Sequence, residues 1–341
     1  MAQHRPIEIL DLRHFAAPML RPVLEAEGDL WRQRLHWDYR ISSRLLLQYL
    51  DSHMLPGYAA VEDGRVVGYV FCVYEETKAV IGDVFALPSP PGGESVRENS
   101  ILSLDASDPQ SHAVEETMLG HLLELLVNSP QVDRIESQLL LHPSGTYSEV
   151  FRLAGFQIYR RMLMSLPLQG NEAAPKITLP GGLELRQWRD EDLNPAGRLI
   201  AAAYSGHPDG VINDQYRSVH GSIRFLANIV RYSGCGVFSP TCSHVMVDRA
   251  SRELVALVLG SRVSPESGHI TQICVHPEFR RHGLARMLLS LTSSAFVRLG
   301  VGEISLTVTE SNTEAIELYR ATGYGCAHTF DAAVWLRERI A

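Results

Sequence analysis

Apolar positions along this chain recur with two periods, and the switches between them mark out its elements. From residue 13 to 55 the spacing is helical, in LRPVLEAEGDLWRQRL and SSRLLLQYLDSHML. β-prone runs follow at Tyr58–Val61 and Val66–Tyr74, around a Glu62-Asp63-Gly64-Arg65 turn, and again at Ala79–Ala86. Pro88 to Asn99 reads as a loop, Ile101–Leu104 as a short strand and Val114–Val127 as a helix. Gln138–Leu141 is a further strand, and Tyr147–Leu153 a helix that Gly155 ends. The polar segment Gln169–Lys176 separates two apolar runs and reads as a linker between domains 1–168 and 177–341. After it come a strand through LELRQW, helices at Asn194–Tyr204 and Arg217–Tyr232, and β-prone pieces at Val237, Val245–Val247 and Leu254–Ser261. Glu303–Val308, a helix over Thr313–Thr322 and an apolar piece toward Trp335 complete the chain.

One stretch organises the second half: HITQICVHPEFRRHGLARMLL, from His269 to Leu289. His269 to Val275 is β-prone and ends at His276-Pro277. Arg280-Arg281-His282-Gly283-Leu284-Ala285 is a basic turn with small residues where bulk would obstruct, and Leu284, Met287, Leu288 and Leu291 then share a helical face. A strand feeding such a turn into a helix predicts an anion site. Backbone N–H groups point out of the turn, the helix N-terminus adds partial positive charge, and arginines match phosphate geometry. No Gly-Lys-Ser/Thr follows and the glycine spacing is not GxGxxG, so neither common nucleotide-binding loop is present.

Composition narrows the partners. At 341 residues the chain is comfortable for two domains, and 45% hydrophobic with 21% charged residues is a soluble, globular balance. A net charge of −8 argues against nucleic acid or an anionic membrane as the main partner. The five cysteines are scattered without a CxxC pair, so neither a disulfide framework nor a metal site is expected, and a reducing cytoplasm fits. The N-terminus lacks the charged and apolar regions of a secretion signal, and no run of 18 apolar residues occurs.

V-H-P-E-F-R-R-H-G-L-A, followed downstream by T-E-S-N-T-E-A-I-E-L-Y-R-A-T-G-Y, resembles the GNAT superfamily of acyl-CoA-dependent N-acetyltransferases from about Leu183 onward. The resemblance implies that the Arg280–Ala285 turn (Arg280, Arg281, His282, Gly283, Leu284, Ala285) holds the pyrophosphate of acetyl-CoA. It implies that the backbone of Ile273, Cys274 and Val275 pairs with the pantetheine arm like an added strand, with Asn312 bonded to that arm. It implies a transfer in a ternary complex, with no metal and no acyl-enzyme, to a small-molecule or peptide amine. Tyr319 matches the family's acid for the leaving thiolate. Asn312, at the start of the same helix, also reads as a cap. For the base, His269 is a candidate on the strand, four residues before Ile273 and so expected on the same face, with Glu310 next and a water-mediated route open. Cys274 reads as a small buried residue rather than a nucleophile. The acceptor would meet Ala203–Asp214, where Asp209 and Asp214 could attract a cation but also suit an ordinary polar loop, with His220 nearby.

The halves repeat. Glu149, Arg152 and Gly155 recur 168 residues later as Glu317, Arg320 and Gly323, and the helix at Met118 recurs at Met287. Two tandem acetyltransferase-like domains are therefore expected, α/β (α+β) in class, each a central mixed, mostly antiparallel sheet flanked by helices. In the first copy Ser111–Glu116 stands in place of the basic turn, and Phe151 stands in place of Tyr319. Carboxylates there would repel a pyrophosphate and a phenyl ring cannot donate a proton, so the first copy reads as degenerate and non-catalytic. Two other readings remain open at this point. One is a non-catalytic acyl-CoA-binding regulatory protein, and the other an aminoacyl- or peptidyl-transferase on a duplicated acetyltransferase fold.

Overall fold

The computed structural model describes residues 6–88, 109–169, 178–232 and 236–338. The expected loop beyond Pro88, the strand at Ile101–Leu104 and the linker beyond Gln169 lie outside these residues. The elements in chain order are β1 (Glu8–Asp11), α1 (Ala17–Leu35), α2 (Arg40–Asp51), β2 (Gly57–Glu62), β3 (Arg65–Glu75), β4 (Lys78–Ala86), α3 (Pro109–Asn128), β5 (Arg134–Gln138) and α4 (Ser148–Leu153). They continue with β6 (Gln157–Pro167), β7 (Leu183–Gln187), α5 (Leu193–Ala203), α6 (Asp209–Ile212), α7 (Val219–Arg231), β8 (Val237–Phe238), β9 (His244–Asp248) and β10 (Leu254–Arg262). β11 (Ser267–Val275), α8 (Leu284–Arg298), β12 (Glu303–Thr309), α9 (Thr313–Ala321) and β13 (Gly325–Leu336) follow. The strand expected at Gln138–Leu141 is replaced by β5, which ends where that run begins. β6, whose apolar alternation is weak, was not anticipated.

Two compact units emerge, and they do not follow chain order. One comprises Met1–Leu35, Ser42–Ile158 and Phe330–Ala341; the other comprises His36–Ile41 and Tyr159–Thr329. A division at residues 169–176 would give the last strand to the second domain, whereas Phe330–Ala341 clusters with the first unit.

In the first unit β1, β2, β3 and β4 pair antiparallel in that order, β4 pairs parallel with β5, and β5 pairs antiparallel with residues 332–336. α3 and α4 cover one face through Met118, Leu122 and Phe151. Among the described residues this unit buries an uncommon set of acids. Glu27 accepts from Trp31 Nε1 at 3.2 Å and from the Tyr69 hydroxyl at 2.5 Å. It also shares a hydrogen bond with Asp83. Burial raises Glu27 and pushes Asp83 up to about 7, so the pair holds a proton at neutral pH.

A carboxyl raised in the folded state is protonated there while the unfolded chain is already ionised, so it subtracts stability as pH rises from about 4 through 7. Buried His142, His244 and His269, all lowered by desolvation, act with the opposite sign as pH falls below about 6.5. A comparison with a variant isolates the acid. The stability of Asp83→Asn relative to wild type should improve by up to about 1.4 kcal/mol per pH unit between pH 4 and 7, read from urea midpoints. A difference independent of pH would show that Asp83 is ionised throughout.

In the second unit β7, β9, β10 and β11 pair antiparallel in that order, β11 pairs parallel with β12, and β12 pairs antiparallel with residues 161–167 of β6. The sequence of strand directions is that of the first unit, so the repeat is structural. α5 and α7 pack on one face through Ala196, Ile200 and Leu226. α8 and α9 pack on the other through Leu288, Phe296 and Ile316. The Phe296 ring lies over Gly260 and Gly268, where an added Cβ would come within 2.9 and 2.7 Å of it. Those bare backbones let α8 sit close to the sheet, which fixes its N-terminus beside the end of β11.

Candidate active site

The parallel pairing of β11 with β12 stops at Ile270 and Leu306, although both strands run on, to Val275 and Thr309. The divergence begins at a bulge. Leu259 faces Gln272 and Gly260 faces Ile270, which leaves Thr271 as the extra residue, its Oγ1 donating to the Leu259 carbonyl at 3.2 Å. The His276 N–H donates to the Val255 carbonyl at 2.8 Å. By antiparallel alternation the N–H of Cys274 also faces β10, and those of Ile273 and Val275 face the gap. A strand edge is thus presented to a cleft of about 460 Å³.

The basic turn closes one end of this cleft. Arg281 and Gly283 adopt left-handed conformations, φ 67° and 75°, which turn the chain directly into α8. An added Cβ at Gly283 would meet nothing within 4 Å, so the approach to the helix N-terminus is open there. Arg280 is folded inward. Its Nη2 donates to the Ala203 carbonyl at 2.8 Å and its Nε to the Val275 carbonyl at 3.4 Å, which ties the end of α5 to the end of β11. Arg281 pairs with Glu314 at 2.6 Å on the exposed surface. Arg286 also lines the cleft.

Of the residues named from sequence, Ile273, Cys274, Val275, Arg280, Arg281, Gly283, Leu284, Ala285, Asn312 and Tyr319 line this one cleft. Asn312 caps α9, its Oδ1 accepting from the Ala315 N–H at 3.2 Å, and its Nδ2 lies 3.3 Å from His207 Nε2. Tyr319 is 7% exposed, and burial, followed by the charge of Asp209, raises its phenol above the ordinary range. Burial pushes the Cys274 thiol up to about 12, which leaves it protonated and unreactive.

Three named residues are placed elsewhere. His282 is exposed, with Nδ1 3.3 Å from the Phe279 carbonyl, and does not line the cleft. Glu310 is exposed and 3.9 Å from Arg160. His269 does not share a face with Ile273. Thr271 inserts one residue between them, so Ile270, Ile273 and Val275 pack toward α8 while His269 turns the other way against Trp37, with ring centroids 4.9 Å apart. Its Nδ1 is 2.9 Å from Ser305 Oγ, and burial, with Arg161 nearby, depresses its pKa to about 3. Asp214 and His220 are also away from the cleft lining, whereas Asp209 and His207 are in it. So is Arg161, on the unanticipated strand β6.

The first unit carries the same bulge, at Gly82, just beyond the last parallel pair, Ile81 with Ser137. Its strand edge is met by its own side chains. Ala86, the counterpart of Val275, donates its N–H to Glu115 Oε1 at 2.9 Å, and His142 Nε2 lies 2.8 Å from the carbonyl of Val84, the counterpart of Ile273. The Tyr147 hydroxyl donates to Glu115 Oε2 at 2.7 Å. Ser111–Glu116, expected in place of the basic turn, lies inside α3 instead, and Glu115 reaches from its second turn back to the strand.

The site is thus framed by a mixed sheet that parts after a bulge beside a basic helix N-terminus. Residues 211–324, within the second unit, match the acetyltransferase (GNAT) family. Over 250 residues it is 24% identical to mycothiol acetyltransferase of Geodermatophilus obscurus, covering 73% of this chain and 77% of that one. A 63-residue segment, 18% of this chain and 36% of the relative, is 40% identical to N-alpha-acetyltransferase 20 of Dictyostelium discoideum. The fold is similar to that of a GCN5-related N-acetyltransferase from Sphaerobacter thermophilus, with a TM-score of 0.59 at 17% identity over 98% of this chain and 97% of that one. It is also similar to a tandem GNAT protein from the clavulanic acid biosynthesis pathway, with a TM-score of 0.58 at 14% identity over 98% and 100% of the chains. Among the described residues no group of three or more His, Cys, Asp or Glu is placed to hold a metal ion, and no helix is long and apolar enough to cross a membrane.

Proposed function

We propose that this protein is an acetyl-CoA-dependent N-acetyltransferase whose second unit passes the acetyl group directly to a primary amine of a small molecule or peptide. The observation that carries the reading is the parting of β11 from β12, which brings a strand edge, a helix N-terminus and a buried tyrosine to one cleft. The Gly283–Ala285 N-terminus and the flanking arginines receive the pyrophosphate. Arg280 serves chiefly to tie α5 to β11, since its guanidinium is already engaged by two carbonyls. The edge of Ile273 and Val275 receives the pantetheine amides, and one of its N–H groups faces the developing oxyanion. Acetyl-CoA supplies an activated acyl carbon. As the amine nitrogen bonds to that carbon the carbon–sulfur bond breaks, and Tyr319 gives its proton to the departing thiolate. A raised phenol pKa keeps that proton in place at assay pH.

The first unit is a silent copy in this reading, because Glu115 and His142 occupy the strand edge that a cofactor would need. Calorimetric titration of acetyl-CoA into the intact protein tests both points. One site per chain is expected. Two sites would overturn the silent assignment, and no binding would overturn acetyl transfer from coenzyme A.

A further inference from the structure

Asp209 opens α6 and lines the same cleft as Tyr319. Its side chain is only 12% exposed. Among the described residues its carboxylate takes a single hydrogen bond, from Thr309 Oγ1 to Oδ1 at 2.5 Å. Oδ2 lies 3.8 Å from His207 Nδ1, beyond hydrogen-bond reach. A carboxylate this enclosed, with one hydroxyl donor, has acceptor positions left over for the N–H groups of a ligand.

The walls say what kind of ligand. The Tyr204 and Tyr216 rings stack 4.5 Å apart beside Asp209, and His207 stands edge-on to Tyr204 at 5.2 Å, all facing the cleft. Aromatic faces next to a carboxylate suit an alkylammonium, whose N–H groups reach the oxygen while its polarised methylenes lie on the rings. Arg161 also lines the cleft, its Nη2 3.4 Å from Thr307 Oγ1, and its charge reaches Tyr319 as well. Arginines stand at the α8 end, and the Tyr319 end holds the Asp209 carboxylate together with that one guanidinium. The aspartate's charge also reaches both Tyr319 and Tyr204.

We infer that Asp209 is the docking and proton-accepting group for the acceptor, which arrives as a primary ammonium ion. The inference deepens the proposed acetyl transfer and rests on it for the chemical step. An ammonium nitrogen has no lone pair, so one proton must leave before it can attack. Asp209 takes that proton and passes it to solvent past His207. The nitrogen then bonds to the acetyl carbon, and its second proton replaces the one that Tyr319 gave to the thiolate. The balance is one ammonium and one thioester in, and one amide, one thiol and one proton out. Asp209 fills the place that His269, turned to the far face, cannot.

The test uses the full chain, Asp209→Asn, and three probes: glucosamine, 1,4-diaminobutane and Nα-acetyl-lysinamide. Asparagine keeps an oxygen for Thr309, so folding should persist, with an acetyl-CoA Kd within about twofold of wild type as the check. If that check fails, Asp209→Ser carries the same test. Ligand-detected NMR at pH 7 should show at least one probe bound by wild type and bound at least tenfold more weakly by the variant. The variant's residual kcat/KM should rise about tenfold per pH unit toward the amine's pKa, since only free amine then reacts, while wild type stays flatter. Equal probe binding by the two proteins, or no binding of any probe to wild type, would overturn the inference. Probe binding that depends on Asp209 without any acetyl-CoA binding would instead remove the acetyl-donor reading and leave the ammonium site standing.

Discussion

Gly283→Glu should bind acetyl-CoA at least a hundredfold more weakly than wild type, a loss of about 2.7 kcal/mol or more by calorimetry. Two effects add. Gly283 has φ 75°, and an L-residue held there costs about 1 kcal/mol, part of which can be relieved by distorting the turn. The space in front of its Cα is empty, so the new side chain projects toward the N-terminus of α8 and places a carboxylate where a pyrophosphate would sit. The first unit shows a carboxylate engaging the matching strand edge: Glu115, in the second turn of α3, folds back onto the Ala86 N–H. Gly283→Ala separates the two causes, because it carries the backbone strain without the charge and should lose less than tenfold. If alanine is as damaging as glutamate, strain alone explains the loss. Retained affinity in Gly283→Glu would move the pyrophosphate away from this turn.

Tyr319→Phe should lower kcat by about a hundredfold or more while leaving the acetyl-CoA Kd within about twofold. The ring is buried against Tyr324, with centroids 5.9 Å apart, and phenylalanine refills that space. The hydroxyl is what is lost. Burial and Asp209 hold its pKa above the ordinary tyrosine range, so wild-type kcat should show no alkaline fall from this group below pH 10. In the variant the thiolate must leave unprotonated or recruit water. Turnover equal to wild type would remove Tyr319 as the acid, and a matching loss of acetyl-CoA affinity would make it a binding residue instead.

How much of this was legible in the chain depended on whether a feature is local. The basic turn, the Asn312 cap and the buried Cys274 follow from neighbours within a few residues, and each was readable. The face of His269 was not. Alternation places residues four apart on one side of a strand, and Thr271 breaks that count, but a bulge depends on what the partner strand β10 offers opposite it. Asp209 was visible as one acid in a polar loop. That it is enclosed, bonded to Thr309 a hundred positions away and in the same cleft as Tyr319, comes from packing. Arg161 carried no signal at all, since it lies on a strand with little alternation contributed from the first repeat.

The repeat was also legible in part. Gly155 and Gly323 each end a helix before an aromatic residue, and matched segments at nearly the same separation pointed to two copies of one fold. Sequence by itself thus determined the duplicated α/β architecture and the turn that opens α8, because both are written in residue type and short-range spacing. Only the tertiary structure decided which segment completes which sheet, with residues 159–167 in the second unit and Phe330–Ala341 in the first. Strand pairing is made by backbone groups that every residue carries, so long-range partner choice leaves little trace in side-chain pattern. The same holds for the parting of β11 from β12. It is set by where pairing stops, and it makes a cleft out of two otherwise ordinary strands.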